Sequence, residues 1–133
     1  MKTKITTFFM FNGRAEAAMS LYTSLFEDGK IDSIIHYKEG DTGEVGTVMH
    51  AIFSLNGQQF MCVDSAAKHE FSFTPSMSLF VNCDSEVEID RLFDALSKDG
   101  KVLMAPSNYG FSEKFGWLED QFGVSWQLNF DKG

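Results

Sequence analysis

Phe11-Asn12-Gly13-Arg14-Ala15-Glu16-Ala17-Ala18 carries an extended segment straight into a helix, and Val81-Asn82-Cys83 enters a second helix about 70 residues later. After the first junction, Ala15, Ala18, Met19, Tyr22, Leu25 and Phe26 fall at i, i+3, i+4, i+7, i+10 and i+11, one apolar stripe. Asn12 is placed to cap its start, and Gly29 lies just past its end, where a left-handed residue is needed. After the second junction, Ile89, Leu92, Phe93 and Leu96 repeat the spacing. Ser85-Glu86-Val87-Glu88 reads as a capping box and Gly100 as the stop.

Everything around these two helices reads as strand. Lys4–Phe11 precedes the first, and Lys30–Tyr37 follows it. Thr47–Leu55 and Gln58–Asp64 flank Asn56-Gly57, a two-residue hairpin signal. Thr74–Cys83 leads into the second helix, and Lys101–Met104 leaves it. Tyr109–Glu119 and Val124–Phe130 flank a turn at Asp120-Gln121-Phe122-Gly123. The order is β-α-β-β-β, twice. This predicts an α+β protein of one domain, residues 1–133, built from module one (about 1–66) and module two (about 67–133). One helix covers one face of a sheet and leaves the other open. Two such modules can combine into one curved mixed sheet with helices outside and a cavity within.

Composition narrows the function classes. The chain has 133 residues, enough for one domain with a real core. Its formal net charge is −8 at pH 7, which argues against nucleic acid or an anionic membrane as partner, because both select a positive surface. No apolar run approaches the roughly 18 residues of a membrane span. The start, Met1-Lys2-Thr3-Lys4-Ile5, lacks the long apolar stretch of a signal peptide. Cys62 and Cys83 lie in apolar segments without a C-x-x-C pattern, which reads as two reduced thiols in a cytoplasmic protein. A nucleophilic Cys62 would need a nearby base, and the spacing places none of His36, His50 and His69 beside it.

Several stretches carry a family resemblance: Phe11–Ala18 with Tyr22 and Leu25-Phe26; Leu55-Asn56-Gly57-Gln58; Ser78-Leu79-Phe80-Val81-Asn82-Cys83; and Gly116-Trp117-Leu118-Glu119-Asp120-Gln121-Phe122-Gly123-Val124-Ser125-Trp126-Gln127. Together with the repeated βαβββ order they resemble the vicinal oxygen chelate superfamily, with glyoxalase I, extradiol dioxygenases and bleomycin-resistance proteins. Within it the match is to PhnB-like proteins, which also carry the label 3-demethylubiquinone-9 3-methyltransferase. The chain has no G-x-G-x-x-G turn and no parallel βαβ run of the length a nucleotide-cofactor methyltransferase needs, so methyl transfer does not follow from the label.

The superfamily's metalloenzymes place His or Glu ligands on the first, fourth, fifth and eighth strands. By strand position the resemblance implies Thr7, Cys62 or Asp64, Ser76 and Gln127 here. Two hydroxyls and an amide are poor ligands for a divalent ion, so no metal and no cofactor is expected. Strand alternation then assigns a cavity lining. Thr7, Phe9 and Phe11 share one face of the first strand, with Phe8 and Met10 toward the helices. Phe60, Cys62 and Asp64 share a parity on the fourth. Ser76, Ser78 and Phe80 share one on the fifth, and Ser125, Gln127 and Asn129 on the eighth. Asp64 is the one candidate acid, a possible general base if burial raises its pKa.

This mixture of apolar wall and neutral hydrogen-bonding groups suits a small-molecule pocket. The expected function is small-molecule binding, with or without metal-free catalysis, in a homodimer. One alternative is a metal-dependent lyase or isomerase like glyoxalase I. The other is a ligand-sequestering dimer like the bleomycin-resistance proteins, toward whose cationic ligands the acidic charge would act favourably.

Overall fold

The computed structural model describes residues 4–132. The chain divides into two compact units, Met1–His69 and Glu70–Gly133. The first contains β1 (Thr7–Phe11), α1 (Ala15–Leu25), β2 (Lys30–His36), β3 (Val48–Leu55) and β4 (Gln58–Asp64). The second contains β5 (Ser78–Cys83), α2 (Glu86–Ser97), β6 (Lys101–Ser107), β7 (Lys114–Glu119) and β8 (Ser125–Phe130). Each unit forms a four-stranded mixed sheet, ordered β1-β4-β3-β2 in the first and β5-β8-β7-β6 in the second. The first strand of each pairs parallel with the last, and the remaining pairs are antiparallel. The repetition visible in the order of elements is thus a repetition of topology.

Each helix is held by the stripe that its spacing announces. α1 buries Ala15, Ala18, Met19 and Tyr22, and α2 buries Ile89, Leu92, Phe93 and Leu96. A fully buried side chain of the Leu or Phe kind contributes about 1.5–3 kcal/mol. Ser85 caps α2 by accepting the Glu88 N–H at 3.1 Å, and the Glu88 carboxylate accepts the Asp84 N–H at 2.6 Å. Asn56 and Gly57 both have positive φ (49° and 84°), the conformation of a two-residue turn whose twist matches its strands.

The helix ends depart from expectation in two ways. The cap of α1 is not Asn12: Arg14 holds the N-cap position without a side-chain cap bond, and the Asp64 carboxylate serves the helix end instead. The left-handed residues beyond the two helices are Asp28 (φ 57°) and Asp99 (φ 59°), not the glycines. Gly29 and Gly100 are required for a different reason. A Cβ on Gly29 would sit 2.2 Å from the Thr23 carbonyl oxygen, and one on Gly100 would sit 2.2 Å from the Glu119 carbonyl oxygen. The same Asp-Gly pair therefore closes both helices.

Strand limits shift where pairing partners run out. β1 begins at Thr7 rather than Lys4, β5 at Ser78 rather than Thr74, and β7 at Lys114 rather than Tyr109, while β6 runs on to Ser107. Among the described residues, no helix is long and apolar enough to cross a membrane.

Candidate functional site on the open sheet faces

In the second unit, alternation along β5, β7 and β8 separates two chemistries. Trp126, Leu128 and Leu118 are buried on the α2 side, where a Cβ on Gly116 would lie 2.6 Å from the Phe93 ring. The opposite face carries Ser78, Phe80 and Asn82 on β5, directly beside Ser125, Gln127 and Asn129 on β8. Phe115 and Trp117 of β7 stand next to Asn129 and Gln127 on that face. For Ser78 and Phe80 of β5, and for Ser125, Gln127 and Asn129 of β8, this is the face expected from the sequence.

Hydrogen bonds tie the polar residues into a chain. The Trp117 indole N–H donates to Ser125 Oγ at 2.9 Å, Ser125 Oγ lies 2.6 Å from Ser78 Oγ, and Gln127 Nε2 donates to Ser78 Oγ at 3.3 Å. Beside them stands an aromatic wall. The Phe80 ring lies 6.3 Å from Phe115, which meets Phe111 edge-on at 5.0 Å and Tyr109 edge-on at 6.3 Å. Phe80 and Phe111 remain 54% and 61% exposed. Tyr109 donates its hydroxyl to the Ala105 carbonyl at 2.6 Å, which anchors this aromatic loop. Phe111 and Phe115 were not anticipated as part of the face. The signal available was that Phe115 shares the parity of Trp117 on β7.

Ser76 does not join them. It precedes β5, is exposed, and its hydroxyl meets that of Thr74 at 2.7 Å. The expected strand began too early, and the parity count through Ser76 has no strand beneath it.

In the first unit the assigned faces are reversed. Phe9, Phe60 and Phe53 form a stack with ring separations of 6.0 and 5.3 Å, and Phe53 meets Tyr22 of α1 at 6.3 Å. Phe11 lies against Phe9 at 6.0 Å. Phe9, Phe11, Phe60 and Cys62 therefore line the helix side of this sheet and build its core. Phe8 (49% exposed) and Met10 (37%) stand on the open face instead. The reason is in the strand itself. Thr7-Phe8-Phe9-Met10-Phe11 is apolar on both faces, so its alternation has no phase.

Asp64 lies on this helix side too and is buried, with both carboxylate oxygens occupied. Oδ1 accepts the N–H of Gly13 at 2.8 Å and of Ala15 at 3.0 Å, and Oδ2 accepts that of Val48 at 2.9 Å. It joins the start of α1 to the start of β3. Such a carboxylate, 2% exposed and holding three backbone N–H groups, is a structural clamp. Asp120 plays the same part in the second unit, accepting the N–H groups of Phe122 and Val124 and the Trp126 indole N–H at 2.9–3.0 Å.

The residues at the superfamily's ligand positions do not fit a divalent ion. Burial, with the Asp64 charge beside it, pushes the Cys62 thiol up to about 12, so it stays protonated and is neither a ready ligand nor a nucleophile. Asp64 is committed to backbone donors, and Thr7, Ser76 and Gln127 are neutral. Among the described residues, no three His, Cys, Asp or Glu side chains converge as ligands. The histidines are dispersed. His36 bonds Glu16 at 2.7 Å and His69 bonds Ser65 at 2.7 Å. His50 neighbours Ala51 in β3, whose partner is Cys62, so it stands on the face opposite Asp64.

Comparison with known proteins gives a consistent placement. A family model described as 3-demethylubiquinone-9 3-methyltransferase matches residues 3–129. A solved PhnB protein from Bacillus cereus, described under the same methyltransferase heading, is 57% identical, with a TM-score of 0.95 over 96% of this chain and 99% of that one. Protein YjdN of Escherichia coli (strain K12) is 29% identical over 85 residues, which is 64% of this chain and 57% of that protein's length. A glyoxylase/bleomycin resistance protein/dioxygenase domain from Frankia sp. EAN1pec is similar in fold, with a TM-score of 0.67 at 14% identity over 99% of this chain and 94% of that one.

Proposed function

We propose a function from the premise that this chain belongs to the 3-demethylubiquinone-9 3-methyltransferase family, the PhnB-like group with a glyoxalase/bleomycin-resistance fold. The chain binds a small molecule on the open face of its second unit, without the superfamily's metal. One observation carries this reading: Ser78, Ser125 and Gln127 form a linked neutral polar strip beside rings left half-exposed. Apolar surface with a few orienting polar groups is the chemistry of small-molecule recognition. Methyl transfer has no support in the residues, since the sequence carries no G-x-G-x-x-G turn.

A homodimer accompanies this reading. Phe8, Met10 and Ile35 leave an apolar face exposed on the first unit, and a second copy of the chain is the partner we propose for it. Light scattering should give the mass of two chains, and a single-chain mass at micromolar concentration would exclude it.

The binding reading is tested by a thermal-shift screen of uncharged, cationic and anionic small molecules on chelator-treated protein. At least one class should raise the melting temperature, and Gln127→Ala should keep the fold while weakening that response. Stabilisation that appears only after a divalent metal is added would replace the reading with a metal-dependent one. Stabilisation by cationic compounds that are recovered unchanged would favour sequestration.

A further inference from the structure

The hydrogen-bond chain on the second unit has a direction, and the direction selects a ligand chemistry. An indole N–H is a donor only, so Trp117 must donate to Ser125 Oγ. Ser125 is 1% exposed, and a hydroxyl buried to that degree needs an acceptor inside the protein. The contact that offers one is Ser78 Oγ at 2.6 Å, since the Trp117 nitrogen cannot accept. Ser78 thus accepts from Ser125, and Gln127 Nε2 donates to it as well. Its own hydroxyl hydrogen finds no acceptor among the described residues, and Ser78 is only partly buried. A hydroxyl at the end of a donor chain is polarised and becomes a stronger donor.

Ser78, Phe80, Ser125, Gln127, Trp117 and Phe115 are neutral; at the edge of the face Glu119 pairs with Ser125, and Lys101 pairs with Glu119, so the two charges there are of opposite sign. At Ser78 a cation would meet a hydroxyl hydrogen, and neither sign of ligand charge gains a net counter-charge from the face. Stacking surface is supplied by the exposed Phe80 ring, one strand position beyond Leu79 and on the same face as Ser78.

We propose that this face takes an uncharged aromatic ligand bearing an acceptor oxygen, a ring ketone or aryl carbonyl. The ring lies on Phe80, and the carbonyl oxygen accepts from the Ser78 hydroxyl. Ser78 is the specificity-determining residue, and Trp117 positions it by fixing the direction of the chain. This deepens the small-molecule reading and rests on it.

The test compares four probes of one ring size: 1-acetonaphthone, 1-ethylnaphthalene, 1-naphthoate and 1-naphthylmethylammonium. Affinities are read from nitrogen–proton correlation spectra, following the Trp117 indole signal and the Gln127 side-chain amide. 1-Acetonaphthone should bind about fivefold more tightly than 1-ethylnaphthalene, the effect of one added neutral hydrogen bond. Ser78→Ala should bring the ketone down to the hydrocarbon's affinity and leave the hydrocarbon unchanged. Trp117→Phe frees the chain to reverse, and should reduce the ketone's advantage without abolishing hydrocarbon binding. That second variant keeps the inference testable if Ser78→Ala does not fold. Equal or tighter binding of the hydrocarbon, the anion or the cation would overturn the proposed ligand class while leaving small-molecule binding intact. If none of the four shifts a signal on this face, both the ligand class and the binding reading that it rests on fail.

Discussion

Replacing Asp64 by Asn changes one atom's chemistry inside a buried clamp, and its cost can be worked from the distances. The amide oxygen can keep the Oδ1 position and still accept from Gly13 and Ala15 at 2.8 and 3.0 Å. The amide nitrogen then faces the Val48 N–H from 2.9 Å, donor against donor. One charge-assisted bond is lost, about 1.5–3 kcal/mol, and two buried donors are left without an acceptor, about 1–3 kcal/mol more. The sum is about 2.5–6 kcal/mol, a large share of the roughly 5–15 kcal/mol by which a domain is stable. At about 4 °C per kcal/mol for a chain of this size, the melting temperature should fall by about 10–24 °C. Urea unfolding followed by tryptophan fluorescence gives the free energy directly. Asp64→Ala leaves all three N–H groups unmet and should cost at least as much. A fully stable Asp64→Asn protein, within about 0.5 kcal/mol of the parent, would refute the clamp. If such a protein also lost an activity, Asp64 would be a chemical group after all.

Three further outcomes follow from other parts of the molecule. Gly100→Ala forces a methyl group to 2.2 Å from the Glu119 carbonyl oxygen, so backbone must move, and urea unfolding should show a loss of more than about 2 kcal/mol. Both thiols are pushed up to about 12 by burial, against an ordinary value of 9.0, so folding holds their protons. Their effect on stability is nil below pH 9 and unfavourable as pH rises from 9 toward 12; at pH 10 it should be about 1 kcal/mol per thiol, and Cys62→Ala with Cys83→Ala should flatten that part of the pH profile. The ion pair of Lys114 with Asp90 is short at 2.7 Å but exposed, and Asp90→Asn should cost less than about 1 kcal/mol, with 0.5 M salt removing most of the difference.

The strands of the two units differ, for a physical reason, in how plainly their faces show in the sequence. In β5 and β8, Ser, Asn and Gln alternate with Leu, Val and Trp, so one face is wet and the other dry, and parity follows. In β1, apolar residues occupy both faces, and the count from Thr7 had nothing to fix its phase. The helices were legible because their stripes and Ser85 are local. The clamp on α1 was not, because Asp64 lies 49 and 51 residues from the N–H groups of Ala15 and Gly13. Proximity of that kind comes from pairing β1 with β4, and no spacing rule carries it. The aromatic loop escaped for a related reason: Phe111 precedes β7, where alternation does not apply, and its place is set by ring contacts with Tyr109 and Phe115.

The central property of this protein is where it binds a ligand when no metal is present. The measurement is a residue-by-residue map of spectral changes in chelator-treated protein, titrated with the strongest compound from the thermal-shift screen. Saturable changes centred on Ser78, Phe80, Trp117 and Gln127 are expected, unaltered when magnesium, zinc or nickel is restored. Changes that appear only with a metal, or that centre on the first unit's Asp64, would contradict this expectation.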